Sequence, residues 1–356
     1  MTKDISDFDQ ADKKIMVAMS GGVDSSVTAY LCDRSVPECA GAMMNLLPGL
    51  NSSDLSDAKN VADKLGMPFF EFDCVNQFRD SVIRHFVDSY EKGDTPNPCI
   101  ECNRTMKFGI FRKMAMSHGY SKVATGHYAI IEFNEDSGRY LLKKAKDNSK
   151  DQSYFLYSLS QEQLENTLFP LGELTKSDVR KIADEQGFGN SEKKESQDIC
   201  FVPDGDYGHF IEGYSGAESI PGDFVDLAGN VLGTHKGIIR YTIGQRKGLG
   251  LALPKPMYVC GKDIANNKVI LCSNEELFQD KLTANNINLI SVDKIREPLK
   301  VKAKIRYNQV EQPATATQTG EDELQIVFDV PQRAIAKGQS VVMYNDDIVV
   351  GGGIIR

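Results

Sequence analysis

Three stretches of the 356-residue chain carry side chains suited to chemistry. The first is Ser20-Gly21-Gly22-Val23-Asp24-Ser25-Ser26, which follows the apolar run Lys14-Ile15-Met16-Val17-Ala18-Met19. Paired glycines let a backbone turn sharply and bring its N–H groups against a ligand. Serines suit the start of a helix, whose free N–H groups attract anions. The GxxxxGK[ST] spacing of a Walker loop is absent, so no γ-phosphate lysine is supplied here. Asp24 falls where a phosphate would lie, an arrangement that makes sense when Mg²⁺ joins the two anions. The plainer reading is a Gly-Gly turn with serine caps.

The second stretch is Gly93-Asp94-Thr95-Pro96-Asn97-Pro98-Cys99-Ile100-Glu101-Cys102-Asn103. Its two prolines predict an exposed loop. Cys99 and Cys102 follow on the run into a helix over 104–116, where a thiol gains nucleophilicity. A C-x-x-C pair after such a loop suits redox chemistry, half a zinc site or sulfur transfer, and no second pair completes a zinc site. The third stretch, Glu195-Ser196-Gln197-Asp198-Ile199-Cys200-Phe201, holds one cysteine in a polar setting, which by itself leaves core and function equally open. Cys32, Cys39, Cys74, Cys260 and Cys272 have apolar neighbours and read as core.

These residues need a scaffold, and the chain predicts one. After a loose tail over 1–12, strands at 38–46, 68–74 and 123–126 alternate with helices to about residue 33, at 54–65 and at 75–92. That is the pattern of a doubly wound parallel sheet, which binds ligands at the carboxyl ends of its strands. Helical texture continues over 161–168 and 176–186. From about residue 206 short β segments broken by Gly and Pro take over, and from about 282 period-2 alternation marks antiparallel strands of a sandwich or small barrel. The expected division is 1–205, 206–280 and 281–356: an α/β nucleotide-binding domain, a small β-rich domain and a C-terminal β-barrel.

Composition narrows the class. Hydrophobic residues make up 41% and charged residues 26%, ordinary values for a globular protein. No apolar run reaches membrane-span length, and the polar N-terminus is not a leader, so a cytoplasmic protein without a membrane partner is expected. The eight cysteines are not a secreted disulfide framework. A net charge of −9 opposes bulk attraction to nucleic acid and leaves a specific RNA ligand open through local cations. Such cations recur at Lys143, Lys144, Lys146, Arg240, Arg246, Lys247, Lys302 and Lys304.

The SGGVDSS string resembles the PP-loop of ATP pyrophosphatases, which cleave ATP between its α- and β-phosphates. Within that superfamily the chain resembles the tRNA-uridine 2-sulfurtransferases over nearly its whole length. Besides SGGVDSS, the strings TPNPCxxCNxxxKF (95–108), ATGHYA (124–129), KDQSYFLY (150–157), FPLGELTKxxVRxIA (169–183), SQDICF (196–201), TIGQRKGLG (242–250) and GGGII (351–355) follow in family order.

The resemblance implies ATP-dependent 2-thiolation of the wobble uridine of tRNAs for Lys, Glu and Gln. ATP and Mg²⁺ would adenylate the C2 oxygen, and a persulfide sulfur would displace AMP. By motif position Cys200 carries the persulfide and Cys102 is its partner, with a disulfide between them as a by-product and a cysteine desulfurase or relay protein as donor. Ala18, Met19, Ser20, Gly21, Gly22, Val23, Asp24, Ser25, Met44 and Gly126 would line the ATP site. Asn97, Pro98 and Cys99 would meet the target base, and His127, Lys150, Asp151, Gln152, Arg306, Tyr307 and Gln339 would contact tRNA. From the residues alone, His127 reads as an ordinary turn histidine, and the cations read equally as solvated faces or as RNA contacts.

Two departures stand out. Many members carry Asp at position 99, proposed as an acid/base group, and this chain has Cys99. That substitution opens a second reading, in which Cys99, Cys102 and Cys200 ligate a 4Fe–4S cluster with one open iron; no other metal site is expected. Residues 44–49 also lack the Lys and Trp usual after the ATP-site methionine. A small-molecule adenylating enzyme is the main alternative, but it predicts neither a reactive cysteine pair nor an RNA-binding β domain. A non-catalytic tRNA-binding descendant would be expected to lose Asp24, Cys102 or Cys200.

Overall fold

The computed structural model describes residues 14–49, 52–189, 199–216 and 218–356. The expected N-terminal tail and residues 195–198 of the third stretch lie outside these.

The apolar run at the start forms β1 (Lys14–Ala18), and the Gly-Gly turn leads into α1 (Val23–Ser35). β2 (Glu38–Asn45), α2 (Ser52–Leu65) and β3 (Phe69–Asp73) follow as the alternation predicts. Beyond β3 the helix is continuous but changes winding: α3 (Val75–Phe78), a π-helical stretch (Arg79–Ile83) and α4 (Arg84–Glu91). The next helix does the same, as α5 (Pro98–Glu101), a π-helical stretch (Cys102–Ile110) and α6 (Phe111–Ser117). β4 (Lys122–Ala124) pairs in parallel with β1, and the sheet runs β3-β2-β1-β4-β7, closing on the short β7 (Thr167–Leu168). β1 is buried on both faces: Met16 packs into one helical layer, Ile15 and Val17 into the other. Chain order reverses at β1, so its carboxyl end is the topological switch point.

Between β4 and β7 the chain leaves this sheet. β5 (Ala129–Asn134) and β6 (Arg139–Lys144) form a hairpin that joins the C-terminal sheet, Lys143 opposite Ile348. The hairpin falls within residues 1–205, the span expected to form the α/β domain, yet its partner is the C-terminal sheet. Short helices α7 (Ser153–Leu156) and α8 (Gln161–Glu165) lead back to β7, and α9 (Lys176–Glu185) packs on α1.

The middle region begins with a helix, α10 (Tyr207–Ser215), where only β segments were expected. Its four-stranded sheet contains β8 (Gly222–Asp226), β9 (Val231–His235), β10 (Tyr258–Asp263) and β11 (Lys268–Cys272). The last region is antiparallel: β12 (Phe278–Leu289), β13 (Leu299–Lys304), β14 (Gln312–Gly320), β15 (Glu323–Arg333), β16 (Ser340–Asn345) and β17 (Ile348–Ile355). β12 pairs with both β15 and β17, which closes a six-stranded barrel. Closure leaves no open sheet edge, and its interior is an apolar core around Ile326, Val341 and Met343. The doubly wound sheet with a β-rich centre and a C-terminal barrel is the expected fold.

Candidate active site

The Gly-Gly turn sits at the carboxyl end of β1, with Ala18 and Met19 entering it and Met44 at the matching end of β2. Gly21 adopts φ +75°, and a Cβ there would run into the Asp54 carbonyl. No side chain caps α1, whose N-cap is Gly22, so its first turn keeps donors for an anion. The serines brace the loop instead: Ser25 Oγ accepts from the Ser20 amide at 3.1 Å and donates to the Gly22 carbonyl at 2.9 Å. At Gly126 a Cβ would come within 3.0 Å of the Asp24 backbone, so only glycine lets the segment after β4 close over the loop. These features fit the phosphates of ATP, bound through backbone N–H groups.

The Asp24 carboxylate is already engaged. Lys176 donates to its two oxygens at 2.7 and 2.8 Å, and the Tyr128 hydroxyl donates at 2.8 Å. The Lys176 side chain is only 9% exposed. It lies inside the 169–183 string, but nothing local in the sequence connects it to a loop 152 residues earlier. Mg²⁺ commonly takes one or two carboxylates and otherwise substrate phosphates, so Asp24 is the protein ligand it would use here.

The cysteine helix starts earlier than the prolines suggested. Asn97 is its N-cap, accepting from the Cys99 amide at 3.2 Å, and Pro98 occupies the first helical position, where its missing N–H costs nothing. Cys99 and Cys102 therefore stand three apart on the helix itself. From Cys102 the backbone hydrogen bonds run i→i+5, so Lys107 follows Cys102 one turn on, as an i+4 residue would in an α-helix. The Cys200 turn is pinned by its neighbour: Phe201 inserts edge-on between Phe78 and Phe86, at 5.7 and 5.2 Å.

All three thiols are free. Burial pushes Cys102 up to about 12 and raises Cys99 and Cys200, while the Lys107 ammonium pulls each of them back. Cys102 is in electrostatic reach of both other thiols. Among the described residues, however, no group of three His, Cys, Asp or Glu is arranged to hold a metal ion. The cluster reading of Cys99, Cys102 and Cys200 is therefore not supported by their geometry.

His127 is buried, with Thr125 Oγ1 at 2.7 Å from Nδ1 and Lys107 Nζ at 3.4 Å from Nε2. Burial, with Lys107 beside it, holds its pKa well below the usual value, so the ring is neutral and Nε2 accepts from Lys107. It is thus a support for Lys107 rather than a bare turn histidine.

Several other expected tRNA contacts hold the fold. Lys150 closes the turn after β6 on the Asp147 carbonyl. Asp151 is buried and accepts from the amides of Ala145 and Ser153 and from the Ser153 hydroxyl. Gln152 clamps Tyr128, accepting from its amide at 3.0 Å and donating its own amide to the Tyr128 carbonyl at 2.8 Å. Arg306 Nη2 donates to the carbonyls of Ile243 and Ala334, Tyr307 packs on Phe155 at 4.4 Å, and Gln339 donates to the Thr95 carbonyl at 2.7 Å. Of the cations that recur along the chain, Lys143 pairs with Glu132 and Asp347, Lys144 with Glu311 and Arg240 with Glu212. Lys304 is buried beside Tyr154, Tyr307 and Tyr344. Lys146, Arg246, Lys247 and Lys302 are exposed.

A phosphate-binding loop at a switch point, with three thiols in the same domain, defines a nucleotide-using enzyme of the HUP class, and comparison with known families narrows it to tRNA modification. Residues 13–204 match a family described as the tRNA methyl transferase HUP domain, 208–273 its PRC-barrel domain, and 279–355 the aminomethyltransferase β-barrel domain. The chain is 51% identical over 355 residues to the tRNA-specific 2-thiouridylase MnmA of Clostridioides difficile (strain 630), covering 97% of this chain and 98% of that one. It is 49% identical to the protein of the same name from Acetivibrio thermocellus, covering 97% and 99%. The chain belongs to the tRNA-specific 2-thiouridylase family, the tRNA-uridine 2-sulfurtransferases. The first family description names methyl transfer and the relatives name thiolation; a cluster of three cysteines suits thiolation.

Among the described residues no helix is long and apolar enough to cross a membrane.

Proposed function

We propose that this protein replaces the C2 oxygen of the wobble uridine in tRNAs for Lys, Glu and Gln with sulfur, by adenylation followed by transfer from a Cys200 persulfide. What supports the reading is that three free thiols, Cys99, Cys102 and Cys200, lie in the domain that holds the PP-loop, with Cys102 in electrostatic reach of the other two and of Lys107. Adenylation needs the α-phosphate exposed to the base, and the uncapped start of α1 with Asp24 and Lys176 suits the departing pyrophosphate.

The uridine O2 attacks the α-phosphorus, the bond to the β-phosphate oxygen breaks, and the N3 proton leaves to solvent. The terminal sulfur of the persulfide then bonds to C2, and AMP departs with the C2–O electron pair. Cys102 thiolate attacks the Cys200 sulfur, the S–S bond electrons pass to the sulfur now on C2, and N3 takes a proton back from solvent to give the C2 thione. A Cys102–Cys200 disulfide remains, and an external thiol reduces it with two electrons. Cys99, a thiol raised by burial, serves the base as a neutral neighbour and not as a carboxylate-like acceptor.

The test is anaerobic incubation of the protein with ATP, Mg²⁺, unmodified tRNA(Lys), cysteine and a cysteine desulfurase, followed by nucleoside analysis. 2-Thiouridine with tRNA-dependent pyrophosphate release is expected, with Cys200→Ala and Cys102→Ala inactive in thiolation. Thiolation that survives Cys200→Ala overturns the persulfide assignment, and pyrophosphate release indifferent to tRNA overturns the substrate.

A further inference from the structure

A cleft of about 510 Å³ opens where the three regions of the chain meet, away from the PP-loop. Lys92 and Asp94 line it from the segment before the cysteine helix, Lys262 from β10, and Lys281, Lys337 and Arg356 from the barrel. Five cations thus face one carboxylate, in a protein whose net charge is −9. Arg356 pairs with Glu323. Lys92, Lys281 and Lys337 are exposed along the rim. Lys262 differs: its Nζ is shut off from solvent and has no hydrogen-bond partner, and it lies 5.9 Å from the centre of the Tyr90 ring.

An ammonium buried without a hydrogen bond is costly. Burial draws Lys262 down to about 8, with Asp94 opposing, so it remains mostly protonated at neutral pH. Asp94 is one carboxylate against five cations; burial raises its carboxyl, and Lys337, Lys262 and Lys92 pull it back down. A flexible four-carbon stem lets an ammonium swing toward an incoming anion.

The location favours a large polyanion. Thr95, next to Asp94, donates its amide to the Lys337 carbonyl at 2.8 Å and accepts from Gln339 at 2.7 Å. Two residues later comes Asn97, the cap of the cysteine helix. The cleft wall at Asp94 is thus three residues from the cap of the cysteine helix, and its rim lysines come from two separate regions, Lys92 from the first and Lys281 and Lys337 from the barrel.

We propose that the cleft between Lys92, Lys262, Lys281 and Lys337 binds phosphates of the tRNA backbone, taking Lys262 as its central contact. The assignment rests on the tRNA reading above. Such contacts carry no base specificity; they set the position of the duplex and the salt dependence of binding. A free phosphate compound, such as the pyrophosphate product, offers the same chemistry from another source.

The experiment measures affinity of the full-length protein for unmodified tRNA(Lys) and for a tRNA of unrelated anticodon, across a salt series, with melting temperature as the folding control. Lys262→Met and the double variant Lys281→Gln/Lys337→Gln are compared with wild type, and pyrophosphate alone is tested for thermal stabilisation. Expected are roughly tenfold weaker binding of both tRNAs by Lys262→Met and a log–log salt slope lower by about 1 per lysine removed. Wild-type affinity and slope in folded variants overturn the proposal. So does pyrophosphate stabilisation lost in Lys262→Met while tRNA affinity is kept, which gives the cleft to a free phosphate. A wild-type protein that binds no tRNA overturns the function itself, an outcome distinct from the other two.

Discussion

Lys176 and Asp24 form a two-point ion pair at 2.7 and 2.8 Å, joining the start of α9 to the first turn of α1. The pair sets a positive charge against the phosphate loop before any metal arrives. Lys176→Met leaves Asp24 with the Tyr128 hydroxyl alone. We expect tRNA-dependent pyrophosphate release to fall about 10²-fold, the scale of one electrostatic contact to developing charge. Affinity for tRNA should hold, and a parallel loss of both would refute the assignment.

Tyr128 links two sites, since its hydroxyl donates to Asp24 while its backbone is clamped by Gln152. Tyr128→Phe removes only the hydroxyl, at a stability cost of about 1 kcal/mol. If the clamp transmits tRNA binding to the loop, the stimulation of pyrophosphate release by tRNA drops several-fold while the tRNA-free rate is unchanged. Equal losses with and without tRNA would make Tyr128 a local brace.

The thiols give a pH prediction. With Cys102 pushed up to about 12, its thiolate fraction in the substrate-free enzyme grows about tenfold per pH unit from 7 to 10. Iodoacetamide labelling of Cys102, followed by peptide mass spectrometry, should rise with unit slope and no plateau in that range. Lys107→Met removes the cation that favours the anion, so labelling slows at every pH, and Lys107→Arg restores part of it. A plateau near pH 8 would show a thiol already activated without substrate.

His127 titrates in the opposite region. Its folded pKa lies well below the ordinary value because burial disfavours the charged ring. Its neutral-state stability is therefore intact above the unfolded pKa and is lost as pH falls below about 6.5, at up to about 1.4 kcal/mol per pH unit. His235, also lowered, adds to the slope. Thermal unfolding between pH 7 and 5 should show a shallower decline in His127→Gln than in wild type. An unchanged slope would mean that His127 ionises freely.

Arg306 ties the middle region to the barrel through the carbonyls of Ile243 and Ala334, at 3.2 and 2.9 Å. Arg306→Ala strips a half-buried charged donor from both, a loss of about 1–3 kcal/mol. Limited proteolysis should then cut faster within 242–250. Unaltered cleavage with weakened tRNA binding would instead place Arg306 on the RNA.

What could be read from the chain was local. The apolar run of β1, the paired glycines and the serines after them specify a strand, a sharp turn and a helix start within a dozen residues, and the alternation through β4 specifies a parallel sheet. The three cysteines were legible from their polar, proline-marked settings, and period-2 alternation gave the barrel. Only the tertiary structure decided the rest. Pro98 looked like a helix breaker but is its first residue, because the Asn97 cap supplies what a sequence of two prolines hides. The hairpin of β5 and β6 left the first sheet because its partner strand, β17, is formed by the chain's last residues. Cations that looked ready for RNA, Lys143, Lys144, Arg240 and Lys304, are held by carboxylates or tyrosines, most of them on other elements of the chain. Turn and cap preferences act over three or four residues and leave their mark in the string. The partner of a charge is chosen by packing across the whole chain, so Lys176 on Asp24 and the unpaired Lys262 become visible only once the regions are brought together.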